Sequence, residues 1–231
     1  MTTSPPSAVY RALASDFDGT LAHNGTVEQE TLDALMRLKK AGYHLILVTG
    51  RILHELASIF PELGWFDLVI VENGAVLFDP QKQQLDILSD TPPSKFIARL
   101  HEIGMPLQTG KVIVATWEPH EKEVLQTIKD MGLEFQVIFN KGAVMILPSG
   151  VNKAFGLRAA LEKLGLKESE VVGVGDAEND HAFLEICGLS VAVANALPAI
   201  AEKVNLVTQN HHGAGVVELI DRLLAPPPPN E

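Results

Sequence analysis

Cysteine is almost absent from this chain, which contains only Cys187. A single cysteine cannot form a disulfide within the chain, and this favours a reducing compartment, so we expect a cytoplasmic protein. Because Cys is among the most buried residue types, Cys187 is interpreted as a small buried apolar side chain near a helix end rather than as a nucleophile.

Membrane and export signals are also missing. No apolar run approaches the length that spans a bilayer, and the opening "MTTSPPSAVYR" lacks a basic start followed by an apolar segment. Basic residues are the minority, 18 against 29 acidic ones, for a formal charge of −11. This balance argues against nucleic acid or an anionic membrane as the main partner. The final "APPPPNE" indicates a solvated polyproline tail.

Strand–helix alternation characterises both outer segments of the 231 residues. A strand is predicted at 9–17, and the capping-box spacing of Thr26 and Gln29 predicts a helix that begins at Thr26. "YHLILVTG" is typical of a strand that is buried on both faces. The alternation resumes at Asn152, which is predicted to cap a helix that Gly165 ends. This pattern predicts the α/β class, a Rossmann-like parallel sheet with helices on both faces.

The middle of the chain follows a different, α+β pattern. Two of its predicted strands flank the turn "NKG", which indicates an antiparallel hairpin with Lys141 at its tip. We therefore predict an inserted α+β cap (lid) domain at 82–148, and a core domain formed by 1–81 and 149–231. A lid with a sheet of its own would form a roomy roof over the strand ends, and closing it would exclude water.

Polar side chains cluster at the predicted strand and helix ends. Parallel sheets bind ligands at the carboxyl ends of their strands, near the switch in strand order. The residues at such positions are Asp16, Asp18, Thr49, Gly50, Arg51, Lys153, Asp176, Asn179 and Asp180.

Two chemical groups can be separated within this set. Four carboxylates in one cleft would repel each other, and a divalent cation relieves the repulsion. Oxygen-only ligands point to Mg²⁺. Thr49, the Gly50 amide, Lys153 and Asn179 instead resemble a cradle for an anion. Acids for a metal beside donors for an anion together describe phosphoryl transfer.

Four ordered motifs carry a resemblance to a known family. "DFDGTL", "VTGR", "NKAFGL" and "GDAEND" resemble the motifs of the haloacid dehalogenase (HAD) superfamily phosphatases, over both outer segments. The predicted insert falls between the second and third motifs, as in the type IIB capped branch. Any one motif is a weak signal, but four in order, each at a strand or helix end, are a strong one.

The resemblance implies a role for each of these residues. Asp16 would be the nucleophile that becomes an aspartyl phosphate, and Asp18 the general acid and base. The metal would be held by the Asp16 side chain, the Asp18 backbone carbonyl and Asp176, with Asp180 bound directly or through water. Thr49, Lys153 and Asn179 would hold phosphoryl oxygens. Arg51 either contacts the substrate beyond its phosphate or forms a surface salt bridge.

Several alternatives stay open on the sequence alone. The leading hypothesis is a Mg²⁺-dependent phosphatase acting on a sugar phosphate or on a phosphoglycolate- or phosphoglycerate-type ester. A phosphomutase would need a cationic site in the cap, and a non-catalytic phospho-aspartate switch would lack both the second aspartate and the lid. Glu72 and Asn73 either line the mouth of the cleft or simply form a turn, and Lys141 is interpreted as a hairpin tip. The oligomeric state is left open.

Overall fold

The computed structural model describes residues 10–225, so the interpreted polyproline tail lies outside the described residues. The strands are β1 (Ala12–Asp16), β2 (His44–Val48), β3 (Leu68–Val71), β4 (Val76–Asp79), β5 (Gln84–Ile87), β6 (Gln108–Thr109), β7 (Val114–Trp117), β8 (Phe135–Asn140), β9 (Ala143–Pro148), β10 (Val171–Gly175), β11 (Leu189–Ala192) and β12 (Leu206–Val207). The α-helices are α1 (Gln29–Lys40), α2 (Leu53–Ile59), α3 (Ser94–Glu102), α4 (Glu121–Asp130), α5 (Lys153–Leu164), α6 (His181–Ile186), α7 (Pro198–Ala201) and α8 (His212–Leu224). Within 10–225, no helix combines the length and the apolarity that crossing a membrane requires.

In the part of the chain that the structure describes, the larger of two sheets has eight strands in the order β12-β11-β10-β1-β2-β3-β4-β5. Its first six strands in that order run parallel, and β4 and β5 complete it as an antiparallel meander. Strand β1 lies between β10 and β2, where the strand order reverses direction. The carboxyl end of β1 therefore lies at the topological switch point, where such sheets bind ligands.

Helices cover both faces of this sheet. Because side chains alternate along a strand, Leu13 and Leu45 pack into one apolar cluster with α1, α2 and α8. Ala14 and Ile46 point the other way, into a cluster with α5, α6 and α7. The predicted α/β class, with a mostly parallel sheet between two helical layers, is confirmed.

The smaller sheet is antiparallel, in the order β6-β7-β9-β8. Helices α3 and α4 pack on one of its faces through Phe96, Leu100 and Val124. On the opposite face, Ile113 and Met145 join the apolar cluster of the larger sheet. All four strands come from one continuous segment of the chain. The sheet that they form packs as a separate layer against the larger sheet.

The division into core and cap stays a prediction, but one strand bears on its boundary. Strand β5 lies inside the segment predicted as the insert, 82–148, yet its hydrogen-bonded partner is β4 of the larger sheet. It is the return half of a hairpin and extends the sheet edge. This pairing favours a cap that begins after Ile87.

Two of three local predictions are confirmed. The Asn152 side chain accepts a hydrogen bond from the Phe155 backbone N–H at 3.0 Å and caps α5, and Gly165 ends that helix with a left-handed φ of 67°. The predicted helix start at Thr26 is wrong, because Thr26 and His23 exchange backbone hydrogen bonds of 2.9 and 3.0 Å. This pairing uses the backbone that a first helical turn would need, and α1 begins at Gln29.

Candidate active site

The chain reverses direction immediately after β1. Asp16 is the last residue of that strand, and the Ala22 backbone N–H then donates to the Phe17 carbonyl at 2.8 Å. Gly19 lies in this turn with a φ of +91°, and a Cβ there would meet the Lys141 ammonium at 2.6 Å. The turn therefore requires glycine on both conformational and steric grounds, and it holds Asp18 at the edge of the sheet.

Three buried aspartates meet at this edge. Oxygens of Asp16, Asp176 and Asp180 all lie within 4.8 Å of one another. Asp16 and Asp176 come together because they end β1 and follow β10, which are paired parallel neighbours. Backbone hydrogen bonds fix the position of Asp180. Its Oδ2 accepts hydrogen bonds from the backbone N–H groups of Asp176 at 2.8 Å and of Ala177 at 2.9 Å.

Lys153 lies between two of these carboxylates. Its Nζ is 2.5 Å from Asp16 Oδ1 and 2.6 Å from Asp180 Oδ1, and its side chain is only 1% exposed. Burial lowers the pKa of Lys153, but the two carboxylates outweigh burial and raise it. Burial and the neighbouring Asp180 raise the pKa of Asp16 to about 8, against the opposing effect of Lys153.

The position of Lys153 depends on close backbone packing. It is the first residue of α5, whose start lies on the turn after β3. A Cβ at Gly156 would meet Gly74 Cα at 2.7 Å, so neither backbone could approach as closely with a side chain between them. This contact lets the first turn of α5 reach the carboxyl end of β1.

A second lysine reaches the acidic cluster from the smaller sheet. Lys141 Nζ lies 2.8 Å from Asp176 Oδ2 and 3.3 Å from the Asp18 backbone oxygen. Lys141 and Gly142 form the tip of the β8–β9 hairpin, both at positive φ (49° and 85°), as a two-residue hairpin turn requires. The interpretation of Lys141 as no more than a hairpin tip was incomplete; its place on a hairpin predicted to cover the strand ends was the available signal.

These donors suit a divalent cation. The side-chain oxygens are those of buried carboxylates, and the Asp18 carbonyl shares the Lys141 ammonium with Asp176. The ammonium demonstrates that positive charge is accommodated between these two oxygens. Burial also raises the pKa of Asp176, although Lys141 opposes the shift. A set of oxygen donors with excess negative charge is what Mg²⁺ prefers.

The donors predicted for an anion surround the carboxyl end of β2. Thr49 is fully buried, and its hydroxyl accepts the Arg51 backbone N–H at 3.2 Å. Asn179 Nδ2 donates to Asn73 Oδ1 at 3.0 Å. Among the described residues, Asn179 Oδ1 and Asn73 Nδ2 have no partner. Reversing both amides keeps their mutual bond and frees Asn179 Nδ2 to donate elsewhere.

Arg51 binds another predicted site residue rather than a surface acid. Its Nε and Nη2 donate to the two carboxylate oxygens of Asp18, both at 2.7 Å. This hydrogen-bonded pair raises the pKa of Arg51 although burial opposes the shift. Arg51 thus lies at the cleft, where it is about one-third exposed.

A cavity of about 220 Å³ separates the two sheets at this point. The larger sheet and its loops contribute Asp16, Asp18, Thr49, Gly50, Arg51, Ile52 and Glu55 to its lining. The roof consists of six residues from the smaller-sheet segment: Gln108, Ile113, Ala115, Asn140, Ala143 and Met145. Sequence reasoning missed the roof residues because their chemistry is ordinary and their position depends on how the two sheets meet.

Comparisons with known proteins agree with this architecture. The profile of the haloacid dehalogenase-like hydrolases matches residues 13–116 and 105–220. The chain is 32% identical over 222 residues to phosphoglycolate phosphatase 2 of Saccharolobus solfataricus, with 92% of each chain covered. It is 31% identical to the phosphoglycolate phosphatase of Methanothermobacter thermautotrophicus, over 93% of this chain and 99% of that one. A solved sugar phosphatase of HAD subclass IIB superposes with a TM-score of 0.75, at 19% identity over 92% and 98% of the two chains.

The chain therefore belongs to the haloacid dehalogenase-like hydrolase family, as its four ordered motifs predicted. It is an enzyme of the phosphoric monoester hydrolase class. The hypothesis of a non-catalytic phospho-aspartate switch is set aside by this class.

Proposed function

We propose that this enzyme is a Mg²⁺-dependent phosphatase that hydrolyses a small phosphorylated carboxylic acid of the phosphoglycolate type through an aspartyl phosphate. The observation that carries the proposal is the convergence of Asp16, Asp176 and Lys153 at the carboxyl ends of β1 and β10. The curated relatives named above are phosphoglycolate phosphatases, which supports this substrate class.

The metal site would be formed by the Asp16 side chain, the Asp18 carbonyl and Asp176. When bound, Mg²⁺ neutralises charge on the carboxylates and on the phosphoryl group. Asp180 already binds Lys153 and two backbone N–H groups. In this proposal Asp180 therefore orients Lys153 and Asp176 beside the metal site.

Asp16 and Asp18 carry the chemistry in two steps. A carboxylate oxygen of Asp16 attacks phosphorus while the bond from phosphorus to the leaving oxygen breaks, and Asp18 gives a proton to that oxygen. Water then attacks the aspartyl phosphate, loses its proton to Asp18 and releases inorganic phosphate. Lys153 stabilises the ionised form of Asp16 before the first step. The ion pair between Lys153 and Asp16 forms again when the second step releases the free carboxylate.

The phosphoryl oxygens would be bound by the donors around β2. Thr49 offers a hydroxyl, Gly50 a backbone N–H, Asn179 a side-chain amide and Lys153 an ammonium. Their fixed positions at strand and helix ends mean that little reorganisation accompanies the change in charge on the phosphoryl group.

The cavity favours a short leaving group. Its volume, about 220 Å³, is below the range of about 300–1,000 Å³ that is typical of small-molecule sites. Among the described residues that line it, Arg51 is the only Lys or Arg, so it would bind the substrate carboxylate. The roof residues include neither Lys nor Arg, which argues against the second phosphate site that a phosphomutase needs.

Phosphate release with a panel of substrates tests this proposal. We expect turnover of phosphoglycolate to exceed that of glucose 6-phosphate and of a nucleoside monophosphate, and to require added Mg²⁺ after chelation. Asp16→Asn should lower kcat by at least about 10⁴-fold while circular dichroism stays unchanged. Near-normal activity in that variant would overturn the assignment of the nucleophile, and equal turnover of all substrates would overturn the substrate class.

A further inference from the structure

A buried carboxylate joins the larger sheet to the roof of the cavity. Glu72 follows β3 in a turn, is 1% exposed and has a positive φ of 52°. Its carboxylate accepts three consecutive backbone N–H groups: Lys111 at 2.8 Å, Val112 at 2.7 Å and Ile113 at 2.9 Å. Among residues 10–225, no ion pair involves Glu72, so these N–H groups are its main compensation for burial.

The three donors belong to the roof segment, which we define as residues 110–113. This segment connects β6 to β7 in the smaller sheet, and Ile113 lines the cavity. Glu72 and its neighbour Asn73 belong to the turn on which the first turn of α5 packs. The contact therefore ties the roof to the part of the larger sheet that also positions Lys153.

Gly110 shows how closely the carboxylate and the roof segment approach each other. A Cβ at Gly110 would meet both carboxylate oxygens of Glu72 at 2.5 Å. The φ of Gly110 is not in the left-handed region, so an alanine could adopt its backbone conformation. The glycine is required by the space that Glu72 occupies and not by the backbone itself.

We propose that Glu72 is a positioning residue that holds the roof segment closed over the catalytic cleft. Hydrogen bonds to an ionised acceptor are stronger than neutral ones, and three of them on adjacent amides fix both the distance and the orientation of the segment. When the roof is lifted, water can solvate the carboxylate and the amides, so opening needs no rearrangement of the larger sheet. The activity arm of the test below rests on the proposed function, whereas the exchange arm does not.

Amide hydrogen exchange in the substrate-free enzyme tests the contact directly. We expect Glu72→Gln to accelerate exchange at residues 111–113 by about tenfold or more, because the charge-assisted bonds become neutral or are lost. The matched control is Glu202→Gln, which removes an exposed carboxylate and should leave that exchange at its wild-type rate. Unchanged exchange in Glu72→Gln would overturn the proposal.

A double-mutant comparison separates the effect of the contact between Glu72 and the roof segment from that of a general loss of packing. Gly110→Ala should accelerate exchange at 111–113 on its own, because the methyl group displaces the carboxylate. In a Glu72→Ala background that clash is absent, so adding Gly110→Ala should change exchange by less than about threefold. If the two substitutions have independent, multiplying effects, Glu72 and Gly110 are not coupled and the inference is wrong.

Kinetics provide the second arm. Glu72→Gln should raise KM for phosphoglycolate by about tenfold and change kcat far less, since Asp16, Asp18 and Lys153 are untouched. A fall in kcat of about tenfold with an unchanged KM would contradict a role in holding the roof segment. If phosphoglycolate is not a substrate at all, the exchange results still decide the inference about Glu72.

Discussion

The guanidinium of Arg51 holds both carboxylate oxygens of Asp18, at 2.7 Å each. In this arrangement the proposed acid–base residue and the proposed carboxylate-binding residue neutralise each other in the absence of substrate. A substrate carboxylate that binds Arg51 would weaken its hold on Asp18 and free Asp18 to exchange protons with the leaving group. Substrate recognition and acid–base chemistry are then coupled through one ion pair.

The first prediction concerns Arg51→Gln. The preference for phosphoglycolate over ethyl phosphate, which has the same two-carbon chain but no carboxylate, should fall by about 10- to 100-fold, the range expected for a charge-assisted bidentate contact. The ratio of the two kcat/KM values is the measurement. Arg51→Lys keeps the positive charge but loses the planar guanidinium group. Its ratio should therefore lie between those of wild type and Arg51→Gln. Equal losses with both substrates would mean that Arg51 acts on Asp18 alone.

The second prediction concerns Asp18→Asn. Without a general base at this position the aspartyl phosphate should accumulate, provided that the leaving group does not need a proton. Acetyl phosphate meets this condition and is small enough for the cavity. We expect one equivalent of acetate to be released rapidly and intact-protein mass spectrometry to show one added phosphoryl group. The Asp16→Asn/Asp18→Asn double variant should show neither, and labelling that persists in it would point to a different nucleophile.

The third prediction concerns metal affinity and Lys141. Because its ammonium lies against Asp176 and the Asp18 carbonyl, it competes with a divalent cation for the same oxygens. Lys141→Met should tighten Mn²⁺ binding by about two- to fivefold, the effect of a partly exposed ion pair. Electron paramagnetic resonance of free Mn²⁺ measures this without turnover. Lys95→Met removes an exposed charge from α3 and serves as the control; weaker binding in Lys141→Met would show that the lysine assists the metal.

The fourth prediction follows from the raised pKa of Asp16, about 8 against an ordinary value of 3.8. Between these values the folded protein retains a proton that the unfolded chain has lost, so this group makes stability fall as pH rises. The fall should not exceed about 1.4 kcal/mol per pH unit. Urea unfolding in chelator, between about pH 5 and pH 7, should therefore show wild type losing stability relative to Asp16→Asn. A constant or rising difference would mean that Lys153 keeps Asp16 ionised throughout.

Much of the fold could be predicted because its signals are local. Apolar runs such as "YHLILVTG" identify strands that are buried on both faces, and the capping chemistry of Asn152 and the left-handed Gly165 mark the ends of α5. Strand β5 carries no such signal, since it is an edge strand with polar residues whose structure depends on pairing with β4. The prediction that α1 begins at Thr26 was wrong for a similar reason, because the backbone pairing of His23 with Thr26 overrides the capping pattern.

The candidate site divides in the same way. Asp16, Asp176 and Lys153 could be expected to meet, since neighbouring parallel strands end at one edge and α5 begins there. The binding of Arg51 to Asp18, of Lys141 to Asp176 and of Glu72 to the roof segment could not be expected. Each of these contacts depends on the distance and angle between the two sheets or on a rotamer, and no spacing in the sequence encodes those quantities.

The smaller sheet comes from one uninterrupted stretch of chain, while the acids and Lys153 reside entirely outside it. Evolution can therefore reshape the roof, and with it the proposed substrate preference, without changing the proposed reactive centre. Two anchor points limit that freedom, the backbone amides that receive Glu72 and the hairpin tip that carries Lys141. Descendants with new substrates should retain a way to dock at both points and are free to vary elsewhere.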